Sequence, residues 1–419
     1  MEVLEIANKI KENGGILYLV GGAIRNEQMN KQINDEDYCV VGLSKEVFER
    51  LFPNAKKRGK FFGVYELERR EFALARKEKK IGIGHKEFEI ENDKNVTIEE
   101  DLKRRDITIN SIAKNVLTSE IIDPYNGIND IKNKIIRATS DAFKEDPLRS
   151  YRVARFASIF NFEVDDNTIN MMKETKEELK YLSPERVFLE FKKALEGNNP
   201  SIFFQILRKA NILDVHFKEI YDLIGKQQPS EYHPEGDSYN HTMIVVDKSV
   251  DFTNKLEVRF SCLIHDLGKG ITPQNMLPHH YGHDLNGVAL VKNLGERLNI
   301  PQKWIKCGKV AAREHMLGGI FDRMKPSKQI DFITRVEKSP LGLKGMQTVV
   351  ICDKLGKNKS EIKVKNELNF YILGKKCIQT INGKYIKEKY KIDKEKQIGE
   401  LLRKERIEWI KKNEKNIEI

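Results

Sequence analysis

Along the first 140 residues, apolar positions gather in short runs broken by glycines and charges, the pattern of strands alternating with helices. Tyr18-Leu19-Val20 ends on Gly21-Gly22, and Asp37 to Val41 is a second run rich in β-formers. Phe61 to Leu67 and Phe72 to Ala75 predict a hairpin, and the Lys/Gly-rich stretch from Lys77 to His85 predicts a mobile loop after it. Ile107 to Ile112 and Ile121 to Asp123 are further short apolar segments, the first read as a strand. From Pro147 the spacing turns helical. Leu148 to Ile159 predicts one helix, and Ser183-Pro184 offers an N-cap with proline at the first helical position of another. The last forty residues are rich in Lys and Glu with a thin apolar stripe (Ile398, Leu401, Leu402, Ile407, Ile410), which predicts a surface helix. The fold class implied is an α/β head, a mixed sheet with helices, followed by a mostly α-helical body.

A chain of 419 residues exceeds one compact core, so two or more domains are expected. The excess of 74 Lys+Arg over 63 Asp+Glu suits a polyanionic partner such as RNA, although composition alone does not decide this. Five scattered cysteines without a CxxC pair argue against a disulfide framework and a zinc–cysteine site. The N-terminal segment mixes charges into every turn, unlike a signal peptide, and no apolar run approaches membrane-spanning length. The expected address is the cytoplasm, with no membrane partner.

Candidate chemistry begins with LVGGAIRN…NDEDYCVV. Glycines between a strand and a helix let the backbone approach a phosphate. Asp35 and Asp37, two apart on an extended strand, share one face and could cradle Mg²⁺ for an in-line displacement. On that pair alone a solvated acidic turn is the simpler reading. Two later segments shift the balance: EEDLKRRDITINSIA supplies Arg104, Arg105 and Asp106, and EDPLRSYRVARF supplies Glu145, Asp146, Arg149, Arg152 and Arg155. Helical spacing puts residues 145, 149 and 152 on one face, as it does 148, 152 and 155. Arginines concentrated beside a carboxylate pair suit phosphates, while a salt-bridged surface helix explains any one of them.

A second constellation is YNHTM…CLIHDLGKG…PHHYGHD…REHM…ICDKLGK. The adjacent pair His265-Asp266, with His241 one helix earlier and Asp353 later, supplies imidazole and carboxylate ligands for a transition metal or Mg²⁺. Most of the nine histidines fall within this segment, more than isolated structural histidines would explain.

GGAIR, DED, EEDLKRRDITINSIA, DPYNG and EDPLRSYRVARF, in this order, resemble the class II tRNA nucleotidyltransferases, the CCA-adding enzymes; related bacterial poly(A) polymerases share much of the set. The histidine segment resembles the HD phosphohydrolase superfamily, as found in the multifunctional bacterial subgroup. The resemblance implies that Gly22 and Arg25 contact the nucleotide, Asp35 and Asp37 hold Mg²⁺, and Arg105 binds sugar and phosphates. It assigns Arg152 and Arg155 to the nucleotide, and Asp146 with Arg149 to reading the incoming base. The HD ligands become His241, His265, Asp266 and Asp353, with His280 and His283 accessory. That site would take a divalent transition metal, with Ni²⁺ a candidate, or Mg²⁺. One departure is Asn26, where the family usually has Asp. The base reading follows from chemistry as well: cytosine and adenine pair an exocyclic amino donor with a ring-nitrogen acceptor, matching an acceptor Asp and a donor Arg. Uracil and guanine present the reverse, and each unpaired polar group costs about 1–3 kcal/mol.

The implied organisation is a nucleotidyltransferase head at 1–140, a neck at 141–225, an HD domain at 226–360 and a basic, tRNA-binding tail at 361–419. The implied function is untemplated addition of CCA to tRNA from CTP and ATP, by a monomer or weak homo-oligomer. Hydrolysis of 2′,3′-cyclic phosphate and of 2′- or 3′-phosphate ends is assigned to the HD domain. A poly(A) polymerase, a partial CC- or A-adding enzyme and a non-catalytic RNA-binding protein are the alternatives.

Overall fold

The computed structural model describes every residue except 34, 59–62, 81–87, 92–93, 358–369, 393–394 and 414–419. The chain forms two compact units, Met1–Ala194 with Ile202–Val215, and Leu195–Ser201 with His216–Ile419. The 1–140 segment and most of the expected neck therefore share the first unit. No described helix is long and apolar enough to cross a membrane.

The first unit is built on strands β1 (Ile16–Val20), β2 (Asp37–Val41), β3 (Lys56–Arg58), β4 (Val64–Leu67), β5 (Arg70–Leu74), β6 (Lys77–Lys80), β7 (Phe88–Glu91), β8 (Ala113–Asn115) and β9 (Ile121–Ile122). Seven of them make one mixed sheet in the order β3-β4-β5-β2-β1-β8-β9, in which only β2 and β5 run parallel. Central strands carry apolar residues on both faces, so they read as unbroken hydrophobic runs. Leu17, Tyr38, Val40 and Phe72 join Ile6, Ile10 and Phe48 on one side. Tyr18, Val20 and Cys39 join Leu102 and Ala113 on the other. Burying each large side chain contributes roughly 1.5–3 kcal/mol, which fixes the register that positions the carboxylates.

The predicted hairpin forms from β4 and β5 around Glu68 and Arg69, both at positive φ, while Phe61 and Phe62 lie outside the described residues. Three expectations are corrected. Lys77–Lys80 is not loop but a strand paired antiparallel with β7; the rest of the expected loop, 81–85, lies outside the described residues. Residues 107–112 do not form a strand. Only Ile107 makes a β-bridge, and Thr108–Asn110 is a 3-10 turn. The cause is polar capture: Thr108 donates to Asp130, Asn110 to Asp106, and Ser111 to the Ile107 carbonyl. Gly127 permits the turn, since a Cβ there would stand 2.3 Å from the Thr108 carbonyl oxygen.

The third correction concerns Glu145. It belongs to a separate 3-10 helix, Asp141–Glu145, and shares no face with Arg149. Pro147 disfavours helical backbone at the residue before it, so Asp146 is extended and the helix Leu148–Phe160 starts afresh. Behind that helix, Ile135–Ile136 pairs parallel with Glu163–Val164, and Arg137 bridges Asp130 and Asp165.

The second unit is helical. Helices Ser238–Phe252, Leu256–Ile264, His283–Arg297, Gln302–Gly319 and Gly342–Gly356 pack around one centre. The basic tail contributes Glu395–Asn413, packed on Pro326–Glu337, Phe370–Thr380 and Gly383–Tyr390. Its apolar stripe faces inward, ending in a fully buried Ile410.

Two candidate active sites

Antiparallel pairing of β1 with β2 sets Val20 opposite Asp37, so the glycine turn and the acidic segment meet at one end of the sheet. Parallel pairing of β2 with β5 places Glu71 beside Asp37. All three carboxylates, Asp35, Asp37 and Glu71, line a cavity of about 660 Å³. Desolvation raises the Asp37 carboxyl, opposed by Arg105 and helped by Asp35; desolvation and Asp37 raise that of Glu71. Carboxylates that lift one another's proton affinity in a shared cavity fit a divalent cation of the Mg²⁺ type.

The cavity is otherwise cationic, with nine Arg and Lys side chains against five carboxylates among its lining residues. Such a surplus matches a triphosphate. Gly21 sits at φ +71, and a Cβ on it would stand 3.1 Å from Arg105 Nη1; one on Gly22 would stand 3.3 Å from Arg25 Nη2. Glycine thus lets two guanidinium groups lie against the turn. Arg25 rests over Phe160, 4.8 Å from its centroid, and donates from Nη1 to Asn110 Oδ1 (2.6 Å) and from Nη2 to Asn26 Oδ1 (2.9 Å). Asn26 therefore holds the arginine as a neutral acceptor, without cancelling its charge. Burial, opposed by Asp106 and reinforced by Arg155 and Arg152, lowers Arg25 to about 10.

Arg152 forks onto Asp106 through Nε and Nη2, both at 2.7 Å, and Arg155 pairs with Glu190. Asp106 is held well below the usual carboxylate range: burial opposes this, but Arg152 and Asn110 outweigh it. Asp146 accepts from Leu148 N and from Arg186 Nη2 at 3.1 Å each, and Arg149 Nη1 donates to the Ala142 carbonyl at 2.6 Å. The residues to which the family resemblance assigns nucleotide or Mg²⁺ contacts all line this one cavity: Gly22, Arg25, Asp35, Asp37, Arg105, Asp146, Arg149, Arg152 and Arg155. Glu145 does not; it lines a separate cavity with Arg137 and Asp165. Sequence reasoning missed Glu71, Arg186 and Lys193. The last two had a signal, because Arg186, Glu190 and Lys193 are spaced four and three apart on the helix Pro184–Glu196.

In the second unit His241, His265, Asp266, His283, His315 and Asp353 converge, all buried. Gly268 is essential to the approach, since a Cβ there would fall 1.9 Å from the His283 carbonyl oxygen. The Nδ1 atoms of His265, His283 and His315 each lie within hydrogen-bond distance of a backbone carbonyl, and that of His241 lies 2.6 Å from Glu235 Oε1. With Nδ1 carrying the proton, all four Nε2 lone pairs face inward. His241 Nε2 lies 3.0 Å from Asp353 Oδ1, His315 Nε2 3.2 Å and His283 Nε2 3.4 Å from Asp266 Oδ1. His265 Nε2 and both Asp266 carboxylate oxygens are buried without a hydrogen bond, although Lys269 Nζ stands 2.6 Å from Asp266 Oδ2. Burial would lower the His265 pKa, but Asp266 and Asp353 lift it to about 10, so a cation bound there has to displace the proton from Nε2. Imidazole nitrogens and carboxylates converging on one buried point fit a divalent cation, and His241–His265–Asp353 and His265–Asp266–His315 have ligand spacing. His315 was not among the sequence candidates. His280 stays out of the cluster: its Nδ1 pairs with Thr272 Oγ1 and its Nε2 with the Gln227 carbonyl.

Comparison with known proteins finds three matching stretches along the chain. Residues 17–137 match the poly A polymerase head domain, 161–223 the probable RNA and SrmB-binding site of polymerase A, and 238–330 the HD domain. A multifunctional CCA protein of Mannheimia succiniciproducens is 38% identical over 354 residues, 81% of this chain and 84% of the relative. One from Psychromonas ingrahamii is 42% identical over 308 residues, 72% of this chain and 75% of the relative. The chain belongs to the family of multifunctional CCA proteins. Solved structures share the fold. A Thermotoga maritima CCA-adding enzyme complexed with tRNA gives a TM-score of 0.65 at 20% identity, over 96% of this chain and 89% of that one. A Bacillus stearothermophilus CCA-adding enzyme in complex with CTP gives 0.64 at 19% identity, over 99% and 93%. Membership of the multifunctional CCA family accounts for both sites in one chain, the cavity of the head and the histidine cluster of the HD domain.

Proposed function

We propose that the protein completes the 3′ end of tRNA by adding CCA from CTP and ATP without a nucleic-acid template, and that its HD centre removes phosphates that block that end. The observation carrying the first part is the single cavity that unites three carboxylates, an arginine surplus and the Asp146–Arg149 pair. Asp35, Asp37 and Glu71 would hold Mg²⁺, which when bound activates the attacking hydroxyl and neutralises charge on the leaving phosphate. Arg25, Arg105, Arg152 and Arg155 bind the triphosphate and orient it toward the primer. Asp146 and Arg149 meet the base edge, with Arg186 and the Ala142 carbonyl fixing where each points. The test is incubation of the purified protein with tRNA lacking CCA, with CTP and ATP separately and together. Stepwise addition of CC and then A supports the reading; long adenylate tails from ATP alone would reassign the chain to poly(A) synthesis.

At the HD centre, His241, His265, Asp266 and Asp353, joined by His283 and His315, would hold a divalent transition metal or Mg²⁺, which would supply an activated water for phosphoester hydrolysis. Lys269 and Lys357 stand beside Asp266 and Asp353, where they can meet the substrate phosphate. The substrates are 2′,3′-cyclic phosphate and 2′- or 3′-phosphate ends. The basic tail is assigned to the tRNA body.

Arg149→Ala is expected to damage base choice more than phosphate binding. UTP or GTP misincorporation relative to CTP should rise about tenfold or more, the effect of one lost base-edge donor in a closed pocket. Competition assays on a tRNA primer measure this. Equal weakening of all four nucleotides would make Arg149 a phosphate contact.

A further inference from the structure

The segment 279–283 beside the HD centre carries a feature that metal binding does not use. His279 and Tyr281 are both exposed, Tyr281 to 75%, and their rings stack on each other with centroids 5.8 Å apart and planes inclined by 25°. His280, between them, and His283, two residues on, make contacts instead with the rest of the unit. His280 ties the segment to Thr272 and Gln227, and His283 reaches Asp266. The two inward histidines thus brace the backbone that holds the two outward rings. Tyr281 is two residues from His283, so their Cα atoms lie within about 7.5 Å of each other. Next to His279, Pro278 lines a cavity of about 710 Å³ with residues of the 227–237 segment, among them His233. His233 shares Glu235 with His241 and so connects that cavity to the cluster.

We propose that Tyr281 and His279 are the stacking platform for the terminal nucleobase of an RNA 3′ end presented to the HD centre. The inference rests on the phosphohydrolase reading and names how that site takes its substrate. A 2′,3′-cyclic phosphate sits on the ribose of the terminal nucleotide, so the centre that cleaves it needs a neighbouring surface for the attached base. Paired exposed rings serve any base, because every base has a π face, which suits an enzyme acting on ends of different sequence.

The test uses the full-length protein and short RNAs ending in a 2′,3′-cyclic phosphate, with 2-aminopurine as the terminal base. Wild type should quench the 2-aminopurine fluorescence on binding, Tyr281→Phe should keep the quench, and Tyr281→Ala should lose it. In hydrolysis, Tyr281→Ala should raise KM about tenfold with kcat little changed, the scale of one lost stacking contact. On an RNA whose terminal nucleotide is abasic, wild type and Tyr281→Ala should share one KM. Equal quenching by wild type and Tyr281→Ala overturns the platform, as does an unchanged KM on the base-bearing end. If wild type quenches but hydrolyses no phosphate end, the phosphohydrolase reading fails while the platform stands.

Discussion

Replacing Asp37 with alanine is expected to lower nucleotide addition at least about a thousandfold while leaving tRNA affinity nearly unchanged. Charge stabilisation by a bound metal amounts to several kcal/mol, and each decade of rate corresponds to about 1.4 kcal/mol. Asp35→Ala should act alike, because both carboxylates line the cavity from the same segment. Neither residue serves the protein's own stability in a way that would confuse the result. Both are exposed, and Asp37 stands at the start of β2 with its core neighbours Tyr38 and Val40 pointing elsewhere. Glu71→Gln should give a smaller loss, about tenfold, as a carboxylate supporting the other two from the parallel strand. Single-turnover addition of CMP, beside a filter-binding measure of tRNA affinity, separates the effects. Addition by Asp37→Ala at a rate near that of wild type would remove the two-carboxylate mechanism.

How far this was legible in the sequence depended on the range of the interaction. Asp35 and Asp37 could be paired by eye because two-residue spacing is local, although β2 starts at Asp37 and Asp35 precedes the strand rather than lying on it; Arg152 and Arg155 could be paired because helical periodicity is local too. Glu71 could not, since it joins them only through the parallel pairing of β2 with β5, across an intervening helix and two further strands. Helical periodicity also misled where a backbone rule overrode it: Pro147 separates Glu145 from Arg149 despite their four-residue spacing. At the HD centre, residue types identified His241 and Asp353, 112 positions apart, without any geometry. They could not tell His280 from His283. Both histidines lie in one short segment, and only the tertiary contacts at Thr272, Gln227 and Asp266 set which one turns inward. The strand expected at 107–112 failed for a related reason. Its apolar positions are buried as expected, but Thr108, Asn110 and Ser111 find partners that a strand would have denied them.

The second large effect is expected from Asp266. Asp266→Asn should reduce hydrolysis of 2′,3′-cyclic phosphate ends at least about a thousandfold and leave CCA addition within about twofold of wild type. The contrast follows from placement: the head cavity is lined wholly by residues of the first compact unit, and the histidine cluster lies wholly in the second. Asparagine conserves volume but removes the charge that faces His265, His283, His315 and Lys269. Bound divalent metal, measured by elemental analysis after dialysis, should fall with the activity, because one anionic ligand is gone. Removing that charge also leaves Lys269 buried beside a neutral amide, so some loss of stability is expected and thermal unfolding must be followed alongside. A folded Asp266→Asn protein that keeps its metal and cleaves cyclic phosphate at the wild-type rate would overturn the ligand assignment. A folded protein that loses CCA addition as well would show that the two units act as one, against the separation their lining residues imply.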